Sequence, residues 1–185
     1  MDKETLRKEA LNKRDLMKED DRIAFSQSLE HYCDALPKSK IVAGFWPIRS
    51  EVDPRPLMFS LREKGALLAL PAITENKTMI FRTFQPGDQL IEMGFGTLGP
   101  SKDAQCVDPD LLLMPLAAFD KVGNRIGYGA GYYDRAIAHL HAKGAKPTLI
   151  GLAFECQKVE QIIPEPHDIP LQAIITENGL HFFNS

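Results

Sequence analysis

A chain of 185 residues with 44% hydrophobic and 25% charged side chains can bury a substantial core without disulfides or structural metal, so one domain is expected over residues 1–185. Its net charge of −3 and pI near 6.0 exclude a general electrostatic nucleic-acid binder, but leave room for a local basic site holding one small anion. Three dispersed cysteines (Cys33, Cys106 and Cys156) make neither a disulfide framework nor a zinc motif, and no apolar run approaches the ~20 residues of a membrane span. The densely charged stretch from Met1 to Asp21 lacks the apolar centre of a secretory signal, so a cytoplasmic protein with no membrane partner is expected.

Residues 3 to 36 read as helical. Leu6, Ala10 and Leu11, then Ile23, Phe25, Leu29, Tyr32, Cys33 and Leu36 recur near helical spacing, and Asp20 or Asp21 is placed to cap a second helix after a break near Glu19. Lys40 to Phe45 is a short apolar run before Pro47, which predicts a buried strand. Pro54 opens a predicted helix through Leu61 that ends at Gly65, and Ala66 to Leu70 is a strand expected to stop at Pro71. Thr78 to Phe84 alternates as a strand at an edge or in a hairpin, followed by the turn signal Phe84-Gln85-Pro86-Gly87-Asp88. Leu111 to Pro115 and Thr148 to Phe154 are further buried strands, with a helix over Tyr132 to Lys143 between them. Ala173 to Thr176 and Leu180 to Phe183 are short strands about the turn Glu177-Asn178-Gly179. Apolar strands alternating with helices predict an α/β fold with a largely parallel sheet covered on both faces. Such sheets bind ligands beyond the carboxyl ends of their strands.

The most informative segment is Arg125-Ile126-Gly127-Tyr128-Gly129-Ala130-Gly131-Tyr132-Tyr133-Asp134-Arg135. It follows an apolar strand and leads into a helix, and its three alternating glycines leave main-chain N–H groups open to a polyanion. Arg125 and Arg135 bracket it, Asp134 offers a hard oxygen ligand, and Tyr132-Tyr133 supply flat aromatic surface. The spacing is neither that of a P-loop nor that of a dinucleotide fingerprint. Taken alone, G-x-G-x-G reads equally as a tight strand-to-helix connection. His139 and His141, two apart on the following helix, point to different faces and make no shared metal site.

The run Asp110-Leu111-Leu112-Leu113-Met114-Pro115, Phe119-Asp120, Gly123 and Arg125 through Arg135 resembles the 5-formyltetrahydrofolate cyclo-ligases, also called methenyltetrahydrofolate synthetases. The likeness extends over almost the whole chain: Lys3 and Arg7 match a Lys-xxx-Arg, and Trp46-Pro47 with Glu51 and Asp53 matches a Trp-Pro…Glu-x-Asp segment. Gly151-Leu152-Ala153, Gln157, Pro164, His167-Asp168 and Thr176-Glu177 match the C-terminal third. The chain departs at Ala130, where many members carry glycine or lysine, and at Tyr128, where some carry arginine.

The resemblance implies a three-layer α/β/α fold akin to the NagB/RpiA/CoA-transferase-like proteins. It implies an ATP- and Mg²⁺-dependent conversion of 5-formyltetrahydrofolate, with or without a polyglutamate tail, to 5,10-methenyltetrahydrofolate, ADP and phosphate. A formamide is a poor electrophile, so the formyl oxygen is phosphorylated first and N10 then closes the ring. By the same resemblance Lys3, Arg7, Arg125, Gly127, Tyr128, Gly129, Ala130, Gly131, Tyr132 and Tyr133 hold ATP, with Lys3, Arg125 and Tyr132 at the chemistry. Trp46, Glu51, Tyr128 and Tyr132 meet the folate, and Asp134 and Asp168 bind Mg²⁺. The residues by themselves allow plainer roles: Lys3 and Arg7 a solvated helix face, Trp46 a core filler, Glu51 a surface acid, Asp168 a turn residue, and Asp120 a cap or brace for the loop. A monomer without nucleic-acid partners is expected. Two other readings are a catalytically weak folate-sequestering protein of the same fold and a sugar-phosphate isomerase or CoA-transferase relative.

Overall fold

The structure, a computed structural model, describes residues 1–94 and 96–183. Helix α1 (Lys3–Asp15) is capped by Asp2, whose carboxylate accepts from the Thr5 N–H at 2.8 Å. Helix α2 (Glu19–Ser28) starts after the expected break, and a 3-10 segment, Leu29–Ala35, completes the helical region. The cap expected at Asp20 or Asp21 does not form. Lys18 occupies that position without a side-chain bond, and the acids lie in the first turn, where they complement the helix dipole.

Strand β1 (Ile41–Ala43) is followed by α3 (Arg55–Glu63), entered at Pro54, where the missing N–H carries no penalty. Strands β2 (Leu67–Ile73) and β3 (Met79–Thr83) form a hairpin. The expected stop at Pro71 is wrong: β2 runs through it. Ala69 O accepts from Gly44 N on the β1 side, so two residues on, Pro71 turns its absent N–H to that same side. There the β1 ladder has already ended at the Ala43–Ala69 pair, and no ladder bond is lost.

Next come the small antiparallel pair β4 (Leu90–Glu92) and β5 (Leu98–Pro100), then β6 (Leu111–Met114). Another small pair, β7 (Ala118–Phe119) and β8 (Arg125–Ile126), precedes α4 (Tyr132–Ala142). Strands β9 (Thr148–Leu152), β10 (Ala173–Thr176) and β11 (Gly179–Phe182) complete the chain.

The main sheet has the order β11-β10-β9-β6-β1-β2-β3. Its five inner strands are parallel, and the edge strands β3 and β11 are antiparallel. Alternation along the strands splits the core into two layers. Leu111, Leu113, Ile150 and Leu152 pack with Phe25, Leu29 and Leu57 from α2, the 3-10 segment and α3. Leu112, Met114 and Leu149 pack with Ala136, Ile137 and Leu140 of α4 on the other face. The helix α1 belongs to neither layer. Leu6 and Ala10 pack with Ala118, Ile126 and Ile162, which docks α1 on the β7–β8 hairpin at the carboxyl edge of the sheet. No described helix is long and apolar enough to cross a membrane.

Candidate active site at the carboxyl edge of the sheet

One cavity of about 520 Å³ opens at this edge. It gathers residues far apart in sequence: Lys3 and Arg7 from α1, Trp46 and Glu51 after β1, the whole Arg125–Asp134 loop, and Asp168. Every residue to which the resemblance gives an ATP, folate or metal role lines this one space. Apolar side chains of Phe45, Ile73, Met79, Met93 and Leu98 complete the wall.

Two turns position the loop. Asp120, only 1% exposed, accepts from the N–H groups of Val122, Asn124 and Ile162, each at 3.0 Å, and from Asn124 Nδ2 at 2.9 Å. It is therefore a brace of the β7–β8 turn. Downstream, Gly131 (φ 67°) enters α4 in the left-handed region, which suits glycine. Having no side chain, it leaves the first-turn N–H groups of α4 uncapped, and an anion can take their place.

Arg125 is nearly buried; its Nη2 donates to Asp134 Oδ1 at 2.6 Å, while its Nε has no partner. Arg7 Nε donates to Gly127 O at 2.8 Å. Lys3 Nζ bridges Glu165 at 2.8 Å and Asp168 at 2.5 Å. Those carboxylates raise the Lys3 pKa against the opposing effect of burial, so the ammonium stays charged. Arg135, the other expected bracket, folds back: its Nη1 donates to Ala130 O at 2.8 Å and its guanidinium lies 5.1 Å from the Tyr132 ring centroid. Cationic groups and open N–H donors thus converge where a polyphosphate fits.

The opposite end is different in kind. Glu51 Oε2 accepts from Ile48 N at 2.8 Å, and burial raises its carboxyl pKa against the pull of the Tyr128 hydroxyl and Arg14. Burial also raises the Tyr128 and Tyr133 phenols, with the Glu51 charge adding to both, so both stay protonated hydrogen-bond donors. Half-buried Trp46 meets Phe84 edge-on at 6.1 Å and carries the Arg55 guanidinium 4.5 Å from its ring centroid. Arg55 is held by Asp53 at 2.6 Å. Trp46 also lines a second, more open cavity of about 460 Å³.

Hard-oxygen groups stand beside the cationic end. Asp134 commits Oδ1 to Arg125 and to Ile169 N, and its Oδ2 accepts no hydrogen bond from the described residues. The ligand atoms of Glu165, His167 and Asp168 lie within 4.8 Å of one another.

Sequence reasoning missed Arg14, Arg55 and Glu165. Arg14 had a readable signal, since Lys3, Arg7 and Arg14 share one helical face at offsets of four and seven. Arg55 and Glu165 had none.

A model of the 5-formyltetrahydrofolate cyclo-ligase family matches residues 1–177. The chain belongs to that family. Among curated cyclo-ligases, that of Escherichia coli is 33% identical over 141 residues, covering 73% of this chain and 76% of the relative. The Mycolicibacterium smegmatis cyclo-ligase is 29% identical over 184 residues, covering 94% and 93%. The solved 5,10-methenyltetrahydrofolate synthetase of Aquifex aeolicus superposes with a TM-score of 0.82 at 31% identity, covering 100% of this chain and 94% of its own. That of Mycoplasma pneumoniae gives 0.75 at 25% identity, covering 95% and 98%. The chain is thus a cyclo-ligase family enzyme.

Proposed function

We propose that the cyclo-ligase reaction runs inside the single cavity, with ATP at the cationic end and the folate between Trp46, Glu51 and Tyr128. The γ-phosphoryl group passes to the formyl oxygen, and ADP leaves. N10 attacks the activated carbon and loses its proton. Phosphate departs, leaving 5,10-methenyltetrahydrofolate.

One observation carries this reading: a phosphate-ready end and a buried carboxylate end share one cavity, with the Arg125–Asp134 loop touching both. Lys3, Arg7 and the half-free Arg125 guanidinium neutralise phosphate charge, and the glycine and α4 N–H groups donate to its oxygens. Glu51 accepts N–H bonds from the pterin, Trp46 offers a stacking face, and Tyr132 sits between the ligands. The free Oδ2 of Asp134 and the carboxylate of Asp168 fit Mg²⁺, which takes one or two carboxylates beside phosphate oxygens and offsets their charge. In that arrangement Asp168 exchanges its present partner, Lys3.

The test mixes protein, Mg-ATP and 5-formyltetrahydrofolate and follows the near-ultraviolet absorbance of the methenyl product. ATP- and magnesium-dependent product formation is expected. Tight folate binding without product would replace this reading with the folate-sequestering one.

A further inference from the structure

We propose that Arg14 is a positioning residue for the folate end, holding the Ser50–Glu51 segment and the Tyr128 hydroxyl together. The inference rests on the proposed contact between Glu51 and folate and adds how that contact is set. From Lys3 to Arg14 the helix α1 advances about 16 Å at its standard rise. It therefore runs from the anion end to the folate end, serving both from one face.

Arg14 is only 3% exposed, yet it has no carboxylate ion-pair partner among the described residues. Its Nε donates to Ser50 Oγ at 2.9 Å and its Nη1 to the Tyr128 oxygen at 2.8 Å. Ser50 Oγ in turn donates to Asp15. A buried guanidinium held only by neutral oxygens needs nearby counter-charge; Asp15 supplies it through Ser50, and Arg14 in turn favours the charged form of Glu51. Ser50 precedes Glu51 in the chain, and Tyr128 lines the same cavity as that carboxylate, so Arg14 ties both to one buried anchor.

The other charged or titratable groups facing Glu51 are Arg49 from its own loop and Tyr133 from α4. Removing Arg14 or the Tyr128 hydroxyl takes away a group that favours the charged carboxylate, while the burial that favours the proton remains. Glu51 then protonates at higher pH and loses its fixed direction.

The experiment compares wild type, R14Q, S50A, E51Q and R14Q/E51Q. Folate Kd is measured from pH 5.5 to 8.5, with the KM for ATP and the melting temperature alongside. R14Q is expected to weaken folate binding about tenfold, leave the KM for ATP within about twofold, and move the acid limb of binding to higher pH. In the E51Q background, R14Q should add no further loss of affinity. S50A removes a partner of Arg14 that lines neither cavity and keeps the test open if R14Q fails to fold: it too should weaken folate binding and spare the KM for ATP. Parallel losses of folate and ATP binding, an unmoved acid limb, or full additivity would each overturn the positioning role. An unchanged folate Kd in E51Q sinks the reading of Glu51 itself, a result distinct from the preceding three.

Discussion

Asp120→Ala removes a carboxylate that no ligand touches but on which the loop depends. Four donors converge on it: the N–H groups of Val122, Asn124 and Ile162, and Asn124 Nδ2. Ile162 is 1% exposed, so its N–H finds no water in the variant, and an unsatisfied buried donor costs about 1–3 kcal/mol. The turn donors at Val122 and Asn124 lie nearer solvent and lose about 0.5–1 kcal/mol each as they exchange protein for water. Together these give about 3 kcal/mol, or roughly 6–12 °C in Tm for a chain of this size. The turn also sets β8, which carries Arg125, and a displacement of about 1 Å at a reacting group lowers turnover about a hundredfold. Urea unfolding with an unchanged m-value, together with turnover measured well below both melting temperatures, reads the two effects separately. Asp120→Asn supplies the control: its amide N–H₂ cannot accept on one side, so it should fall between wild type and alanine. A melting temperature within 2 °C of wild type, or an asparagine variant worse than alanine, refutes the hydrogen-bond accounting.

Asp134→Asn retains an oxygen for Arg125 but loses the charge, and is expected to lower kcat about a hundredfold while folate Kd stays within about threefold; equal turnover removes Asp134 from the chemistry. Burial raises the folded-state pKa of Glu51 above its ordinary 4.5, so its contribution to stability is present at acid pH and lost as pH rises through the raised value. The melting-temperature difference between Glu51→Gln and wild type should therefore move in favour of the variant from pH 4.5 to 7.5, and a pH-independent difference contradicts it. A Cβ at Gly44 would lie 2.2 Å from Met58 Sδ, so Gly44→Ala should cost about 1–3 kcal/mol in denaturant unfolding. Met58→Ala in the same chain should recover part of that loss, and additive losses would rule out the clash.

The parts of the fold that were readable are those fixed by local pattern. The all-buried run Leu111–Met114 could only be an inner strand, and Pro54 and Gly65 punctuate α3 as their backbone chemistry dictates. Pro71 misled because its cost depends on whether β1 extends beside it, a fact of sheet register that one strand cannot carry. The pairs β4–β5 and β7–β8 are too short for any periodicity. In the site, the glycine loop was visible because its chemistry lies within eleven residues. The Glu165–Lys3 contact crosses 162 positions and exists only once α1 has docked on the β7–β8 hairpin. Arg14 falls between these cases: its helical register was legible, but its partners Ser50 and Tyr128 come from two loops that meet only in the folded chain.

Trp46 is the only tryptophan of the chain, and it stands in the wall shared by both cavities. Its fluorescence is therefore a single-ring signal from the boundary of the active site, with the Arg55 guanidinium on its face as a built-in polar neighbour. A ligand seated between Trp46 and Glu51 changes the water and charge around that one ring, and a product absorbing in the near ultraviolet takes up its emission directly. The native protein thus carries its own optical probe, with no background from other indoles.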